Sequence, residues 1–196
     1  MATIATTAKN DIIGNGADAG LRFERLLRSR SVAIVGASDK PGALGASVLG
    51  NLERQGFDGE IHLVNPKRAE IGGRRCVATV DDLPEGIDVA VLAIPRAGVL
   101  DVIRGLAGRR VGAAIVFSAG FAEDGPQGLA DQQEIARIAA EANMIVEGPN
   151  CLGLVNFVDR IALTFIELPE PRKLHVKTSP EFSSYVRRIY DLLGVD

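Results

Sequence analysis

Short, uniformly apolar runs alternate with stretches of helical periodicity along most of the chain. Ser31–Gly36 (SVAIVG) is apolar throughout and closes on glycine, the pattern of a strand covered on both faces. Beyond it Leu44, Val48, Leu49 and Leu52 recur at the spacing of one helix face, and Gly56–Phe57 ends that helix. Glu60–Pro66 (EIHLVNP), Ile87–Pro95 (IDVAVLAIP), Val111–Gly120 (VGAAIVFSAG) and Met144–Gly153 (MIVEGPNCLG) read as four further strands with their loops. Val99, Val102, Ile103 and Leu106 mark a helix after the third strand, and Gln127–Asn143 a helix after the fourth. This alternation predicts an α/β fold with a doubly wound, mainly parallel sheet and helices on both faces. Right-handed crossovers and short connections make that the economical topology.

The ends of the chain read differently. Residues 1–20 are small and polar without a sustained period, and are expected to form a flexible arm. Leu21–Arg30 could form a short helix, with Leu21, Phe23, Leu26 and Leu27 as its apolar contacts. The domain is then expected to span 21–167, followed by a tail over 168–196. In that tail Ser179 and Pro180 could open a helix over 180–193 whose stripe is Phe182, Val186, Ile189 and Leu193.

Ligands of open α/β sheets bind beyond the carboxyl ends of the strands. The loops at that edge are well marked: GASDKPGALG after Gly36, then NPKR, IPRAG, SAGFAEDG and GPNCLG. The first is not a dinucleotide fingerprint, because G-x-G-x-x-G from Gly36 would need glycine where Ser38 and Pro41 stand. The ribose-binding acid expected after the second strand is replaced by Asn65, Pro66, Lys67 and Arg68. A Gly-Lys-Ser/Thr phosphate loop is also lacking here. What remains is Gly36, Ser38, Gly42 and Gly45 at the opening of a helix, where free amides and the helix dipole attract anions. Gly42 and Gly45 would let a ligand approach the backbone. Ser38 could donate a hydrogen bond, and Lys67 with Arg68 would suit a phosphorylated adenosine ribose. NADP and coenzyme A both carry such a phosphate. Equally, the glycines could serve only a tight turn and close helix packing, and the two cations could be solvated surface charges.

Composition narrows the partners. Among 196 residues, 5% are aromatic and none is tryptophan, which leaves little for a base-stacking surface. A net charge of −3 carries no basic footprint for nucleic acid or an anionic membrane. The two cysteines, Cys76 and Cys151, have neither C-x-x-C nor metal-ligand spacing and are read as small hydrophobes. Neither a membrane-length apolar stretch nor a secretory signal pattern is present, so a cytoplasmic location is expected.

Taken together, SVAIVGAS, GFDGEIHLVNPK, DLPEGIDVAVLAIP, FSAGFAE and GPNCLGLVN resemble the N-terminal CoA-binding domain of NDP-forming acyl-CoA synthetases. That superfamily includes ADP-forming acetyl-CoA synthetase and the α subunit of succinyl-CoA ligase. The resemblance runs from about Leu21 to Glu167, with the motifs in family order. It implies that coenzyme A is held by Gly36, Ala37, Ser38, Gly42, Leu44 and Gly45, with Asn65, Pro66 and Lys67 beside the adenosine and Lys67 near the 3′-phosphate. Ile94 and Pro95 would wall the adenine or pantetheine. Ser118, Ala119 and Gly120 would lie along the pantetheine arm, and Asn150 toward the thiol. The implied reaction interconverts acyl-CoA, NDP and phosphate with acid, CoA and NTP.

The same family works through a phosphohistidine on a second domain and a nucleotide site on an ATP-grasp module. His62 and His175, the two histidines here, stand in neither context; His62 is expected to be structural and His175 a surface residue. The chain by itself is therefore expected to bind CoA or acyl-CoA without catalysing ligation, as a fragment or subunit acting with those catalytic and ATP-grasp partners. The alternatives are an NADP-binding domain of an oxidoreductase and a non-catalytic domain that senses CoA.

Overall fold

The computed structural model describes residues 23–168 and, in the tail, Pro180, Ser183, Ser184, Arg187 and Arg188, which are helical and exposed. The arm over 1–20, Leu21, His175 and the apolar stripe of the expected tail helix lie outside the described residues.

Seven strands form one sheet: β1 (Ser31–Val35), β2 (Glu60–Val64), β3 (Glu70–Ile71), β4 (Arg74–Val77), β5 (Val89–Leu92), β6 (Ala113–Val116) and β7 (Ile145–Glu147). Their order is β3-β4-β2-β1-β5-β6-β7. Every pairing is parallel except that of β3 with β4. The helices are α1 (Leu44–Gln55), α2 (Val99–Gly108) and α3 (Pro126–Glu141), the last with proline in its first turn.

The alternation of side chains along each strand divides the core into two layers. Val32, Ile34, Leu63, Val91 and Ile115 pack with Val48, Leu49 and Leu52 of α1. Ala33, Val35, Leu92 and Val116 pack on the other face with Ile103 and Leu106 of α2 and Ile135 and Ile138 of α3. Apolar burial on both faces of strands this short is why the runs are continuous rather than alternating.

The five expected strands are β1, β2, β5, β6 and β7, and the three helices expected between strands follow their expected spans closely. Two hairpins were not expected. In β3–β4, Gly72 and Gly73 take φ of 57° and 75°, the left-handed pair that a two-residue turn needs. That hairpin sets β4 as a parallel partner of β2. The second joins β8 (Gly153–Asn156) to β9 (Ile161–Thr164) as a separate antiparallel pair. Its Ile161 and Leu163 enter the α1 layer, and Phe165 meets Phe117 edge to face at 4.8 Å. The apolar contacts expected of 21–30 are also corrected. Within the helical segment 23–27, Leu26 is buried while Phe23 and Leu27 are exposed.

Asn51 of α1 ties down the second hairpin. It is fully buried; its Nδ2 donates to the carbonyls of Thr164 at 2.7 Å and Ile166 at 2.8 Å. Its Oδ1 accepts from Arg54 at 2.7 Å. Asn51→Leu would leave those carbonyls without this donor, and a buried unpaired acceptor costs about 1–3 kcal/mol. Urea denaturation should show a lowered midpoint of that order, with loss of the near-neighbour protection of the Thr164–Ile166 amides in hydrogen exchange.

Candidate functional site

The topology reverses at β1. The chain leaves it through α1 toward β2 and β4, then returns to β5 on the opposite flank. The crevice outside the carboxyl ends of β1 and β5 is the place where such sheets receive ligands. Its floor is backbone against backbone. Gly36 has φ +86°, and a Cβ on it would lie 2.3 Å from the Ala93 carbonyl oxygen. A Cβ on Gly45 would lie 2.2 Å from the carbonyl oxygen of Gly36. Gly45 is therefore needed so that α1 can seat on the first loop. The room that its missing side chain leaves is filled by the Gly36 carbonyl, so this glycine serves helix packing on that side. Gly42 differs: φ is +80° and nothing lies within 4 Å of its Cβ position.

The first turn of α1 opens onto this crevice uncapped. Ala43, its N-cap, offers no side-chain hydrogen bond, and the first turn holds no acidic residue. The Ala43 amide donates to Lys40, and those of Ala46 and Ser47 donate to Ala43. The amides of Leu44 and Gly45 have no partner among the described residues, leaving a pair of donors at the positive end of the helix. Gly36 and Ala37 instead spend their amides on the Val64 carbonyl, at 3.1 and 3.2 Å. Ser38 Oγ accepts from the Lys40 amide at 3.0 Å, which leaves its hydroxyl proton to donate elsewhere. Leu44, counted in the sequence with the core stripe, is 41% exposed at this mouth.

The cations separate. Arg68 pairs with Asp39 of the first loop at 3.3 Å. Lys67 is exposed and has no ion pair among the described residues; the same holds for Lys40, whose position in the first loop the sequence reading passed over. A lysine inside a glycine-rich loop was the signal available for it.

Three other expected site residues use their side chains to join neighbouring loops. Asn65 donates to the Ala37 carbonyl at 2.7 Å and accepts from the Lys67 amide at 2.8 Å, linking the loops after β1 and β2. Ser118 donates to the Ile94 carbonyl at 2.5 Å, linking those after β5 and β6. Asn150, at φ +58°, donates through its amide to Ser118 at 3.0 Å and through Nδ2 to Glu123 at 3.3 Å. Glu123 also accepts from the Gly120 amide at 2.8 Å, and that bond is the chief reason its carboxyl sits below the usual glutamate range. Pro66, Pro95 and Ala119 are exposed along the same edge, with Ile94 half-buried between them.

His62 lies on β2 with Nε2 3.2 Å from Glu60. Burial raises the thiols of Cys76 and Cys151 above the usual range; Cys151 donates to the Val116 carbonyl at 3.3 Å. A recess of about 840 Å³ opens at the opposite edge of the sheet. Two ion pairs lie on its lining, Arg25 with Asp88 at 3.1 Å and Arg28 with Asp159 at 3.3 Å.

Residues 30–156 match the family described as CoA binding domain. The chain belongs to that family. A trans-feruloyl-CoA synthase from an unknown prokaryotic organism is 56% identical over 146 residues, covering 74% of this chain and 21% of that protein. An ADP-forming acetate–CoA ligase of Archaeoglobus fulgidus is 35% identical over 143 residues, covering 73% and 21%. A solved acetyl-coenzyme A synthetase of Ca. Korarchaeum cryptofilum, in complex with phosphate and ADP, superposes with a TM-score of 0.69. It is 36% identical, over 73% of this chain and 30% of that one. The CoA-binding domain thus spans about a fifth of the length of the curated relatives it matches.

Two outcomes follow from the geometry of the CoA-binding domain. Gly45→Ala forces α1 off the first loop and should destabilise the fold by about 1–3 kcal/mol. Gly42→Ala meets only the left-handed backbone penalty, about 1–2 kcal/mol. Paired denaturant midpoints should rank Gly45→Ala at or below Gly42→Ala, and the reverse order would contradict the packing. Glu147 supplies the second: its Oε2 is buried with no partner among the described residues, and burial pushes its carboxyl above the ordinary 4.5. A raised carboxyl stabilises the fold fully below the unfolded value and loses that contribution as pH rises through the folded one. Glu147→Gln should therefore gain stability relative to the parent as melts are taken from about pH 4 to about pH 8.

Proposed function

We propose that this domain holds coenzyme A for an NDP-forming acyl-CoA synthetase, which interconverts acyl-CoA, NDP and phosphate with the free acid, CoA and NTP. The observation that carries the reading is the open first turn of α1 at the switch crevice of a chain in the CoA-binding family. Backbone donors that no side chain caps are suited to a diphosphate.

The residues present fit the ligand part by part. Leu44 and Gly45 offer their amides to the diphosphate, with Gly42 keeping the approach clear and Ser38 adding a hydroxyl. With Arg68 matched by Asp39, Lys67, on the loop after β2, is the cation assigned to the ribose 3′-phosphate. Ile94 and Pro95 form the apolar wall, and the Ala119–Gly120 backbone faces the pantetheine arm. Gly36, Ala37, Asn65, Pro66, Ser118 and Asn150 hold these loops in register. Coenzyme A, when bound, supplies the thiol that receives the acyl group. This chain's contribution is to bind and orient it. His62 is engaged with Glu60 on β2, so the phosphoryl relay and nucleotide site are assigned to catalytic and ATP-grasp domains or subunits acting with this one. The share of the relatives' length that this chain spans supports that division.

Isothermal titration with CoA, dephospho-CoA and NADP tests the reading. CoA should bind, and dephospho-CoA about tenfold more weakly through loss of one charge-assisted contact. Lys67→Ala should erase that difference, whereas Arg68→Ala should largely keep it. Equal affinity of the parent for CoA and dephospho-CoA would remove Lys67 from the site. Preference for NADP over CoA would overturn the reading itself.

A further inference from the structure

Arg96 opens the turn directly behind Ile94 and Pro95, after β5. Its guanidinium crosses to the next loop and the helix beyond. Nη1 lies 3.3 Å from Asp124 and Nη2 2.8 Å from Asp131 of α3. Its Cζ stands 5.5 Å over the ring of Phe121, which is buried beneath the loop. Its Cδ fills the space beside Gly120, where a Cβ would sit 3.1 Å away. One side chain thus touches Gly120, Phe121 and Asp124 in turn and anchors them to α3. The Arg96 bond is the largest cause holding the Asp131 carboxyl below its usual range, followed by that from Gln127. Arg96 is about one-third exposed, so these contacts are partly shielded from water, and its planar fork suits two carboxylates at once.

The stretch has other ties: the Ala122 amide donates to Gln132 of α3 at 3.2 Å, Asn150 reaches Ser118 and Glu123, and Phe121 is buried; the turn at Ala119 and Gly120 is its outermost part. Ala119 is exposed, and the Gly120 amide is held by Glu123 of the same loop. A segment that must be ordered before it can bind lowers affinity by its ordering cost, and a clamp made in advance removes that cost.

We propose that Arg96 is a positioning residue for the pantetheine half of coenzyme A, holding the loop from Ser118 to Asp124 so that the Ala119–Gly120 backbone meets the ligand. The inference rests on the CoA reading of the crevice. The adenosine end lies on the loops after β1 and β2, to which Arg96 makes no hydrogen bond or ion pair. The two halves of the ligand should therefore respond differently.

The full chain and its Arg96→Ala, Arg96→Lys and Asp131→Asn variants are titrated calorimetrically with CoA and with adenosine 3′,5′-bisphosphate. Thermal melts and amide exchange over 119–124 accompany them. Arg96→Ala should weaken CoA about tenfold and leave the bisphosphate within about twofold, with faster exchange in the loop. Arg96→Lys should recover part of the loss. Asp131→Asn, which loosens the clamp while keeping the arginine, should weaken CoA in the same direction. Unchanged CoA affinity in Arg96→Ala would overturn the proposal, as would an equal loss for both ligands. Unchanged affinity in Asp131→Asn would make Arg96 a direct ligand contact instead. Should Arg96→Ala fail to fold, the Arg96→Lys and Asp131→Asn titrations decide by the same criteria. Parent protein that ignores CoA would fail the underlying reading; parent binding with insensitive variants fails this inference alone.

Discussion

The carboxyl edge of this domain depends on three backbone segments touching without side chains between them. Gly45 at the start of α1 sits on the Gly36 carbonyl, and Gly36 sits against the Ala93 carbonyl of the β5 loop. A Cβ at either position would come far inside van der Waals contact, so the seat of α1, the turn after β1 and the return of β5 form one joint. The helix can then present its first turn directly over the crevice. The same joint explains why the glycines of the first loop and helix start are not interchangeable: Gly36 and Gly45 serve packing, and Gly42 keeps open space.

Around that joint the loops are linked by short polar side chains. Asn65 fastens the β2 loop to the β1 loop, Ser118 the β6 loop to the β5 loop, and Asn150 the β7 loop to the β6 loop. The first two bonds join a side chain to a loop carbonyl that has left the ladder and needs a partner, whereas Asn150 reaches the Ser118 carbonyl through its backbone amide and Glu123 through Nδ2. A surface made this way can be both irregular and well ordered, which is what a site for an extended ligand requires. The free charges are correspondingly few. Arg68 is answered by Asp39 and Arg96 by two aspartates, whereas Lys67 and Lys40 have no such partner among the described residues.

Parallel β-structure with two covered faces was legible because its strands must be apolar on both sides. Hence β1, β2, β5, β6 and β7 stood out as runs, and the helices between them as periodic stripes. The short hairpins were less visible for physical reasons. In β4, Arg74 and Arg75 precede the buried Cys76, so this strand, flanked on its outer side only by the two-residue β3, carries no continuous apolar run. β8 and β9 owe their place to packing on α1 and to Asn51, a contact between residues more than a hundred positions apart. Gly72–Gly73 was a readable turn signal that the apolar pattern alone did not register.

The linear order of residues by itself determined the alternating layers, the edge at which a ligand would lie and the family of motifs on its loops. These follow from periodicity, turn chemistry and short-range pattern. Only the tertiary structure decided which residues on that edge are spent and which are free. Arg68 and Lys67 are neighbours in sequence, yet one is matched by Asp39 of the first loop and the other is not. Gly42 and Gly45 look alike in the chain, yet a carbonyl from the preceding turn fills the space beside one and leaves the other open. Such distinctions arise from what the fold brings alongside each residue, and no local pattern encodes that.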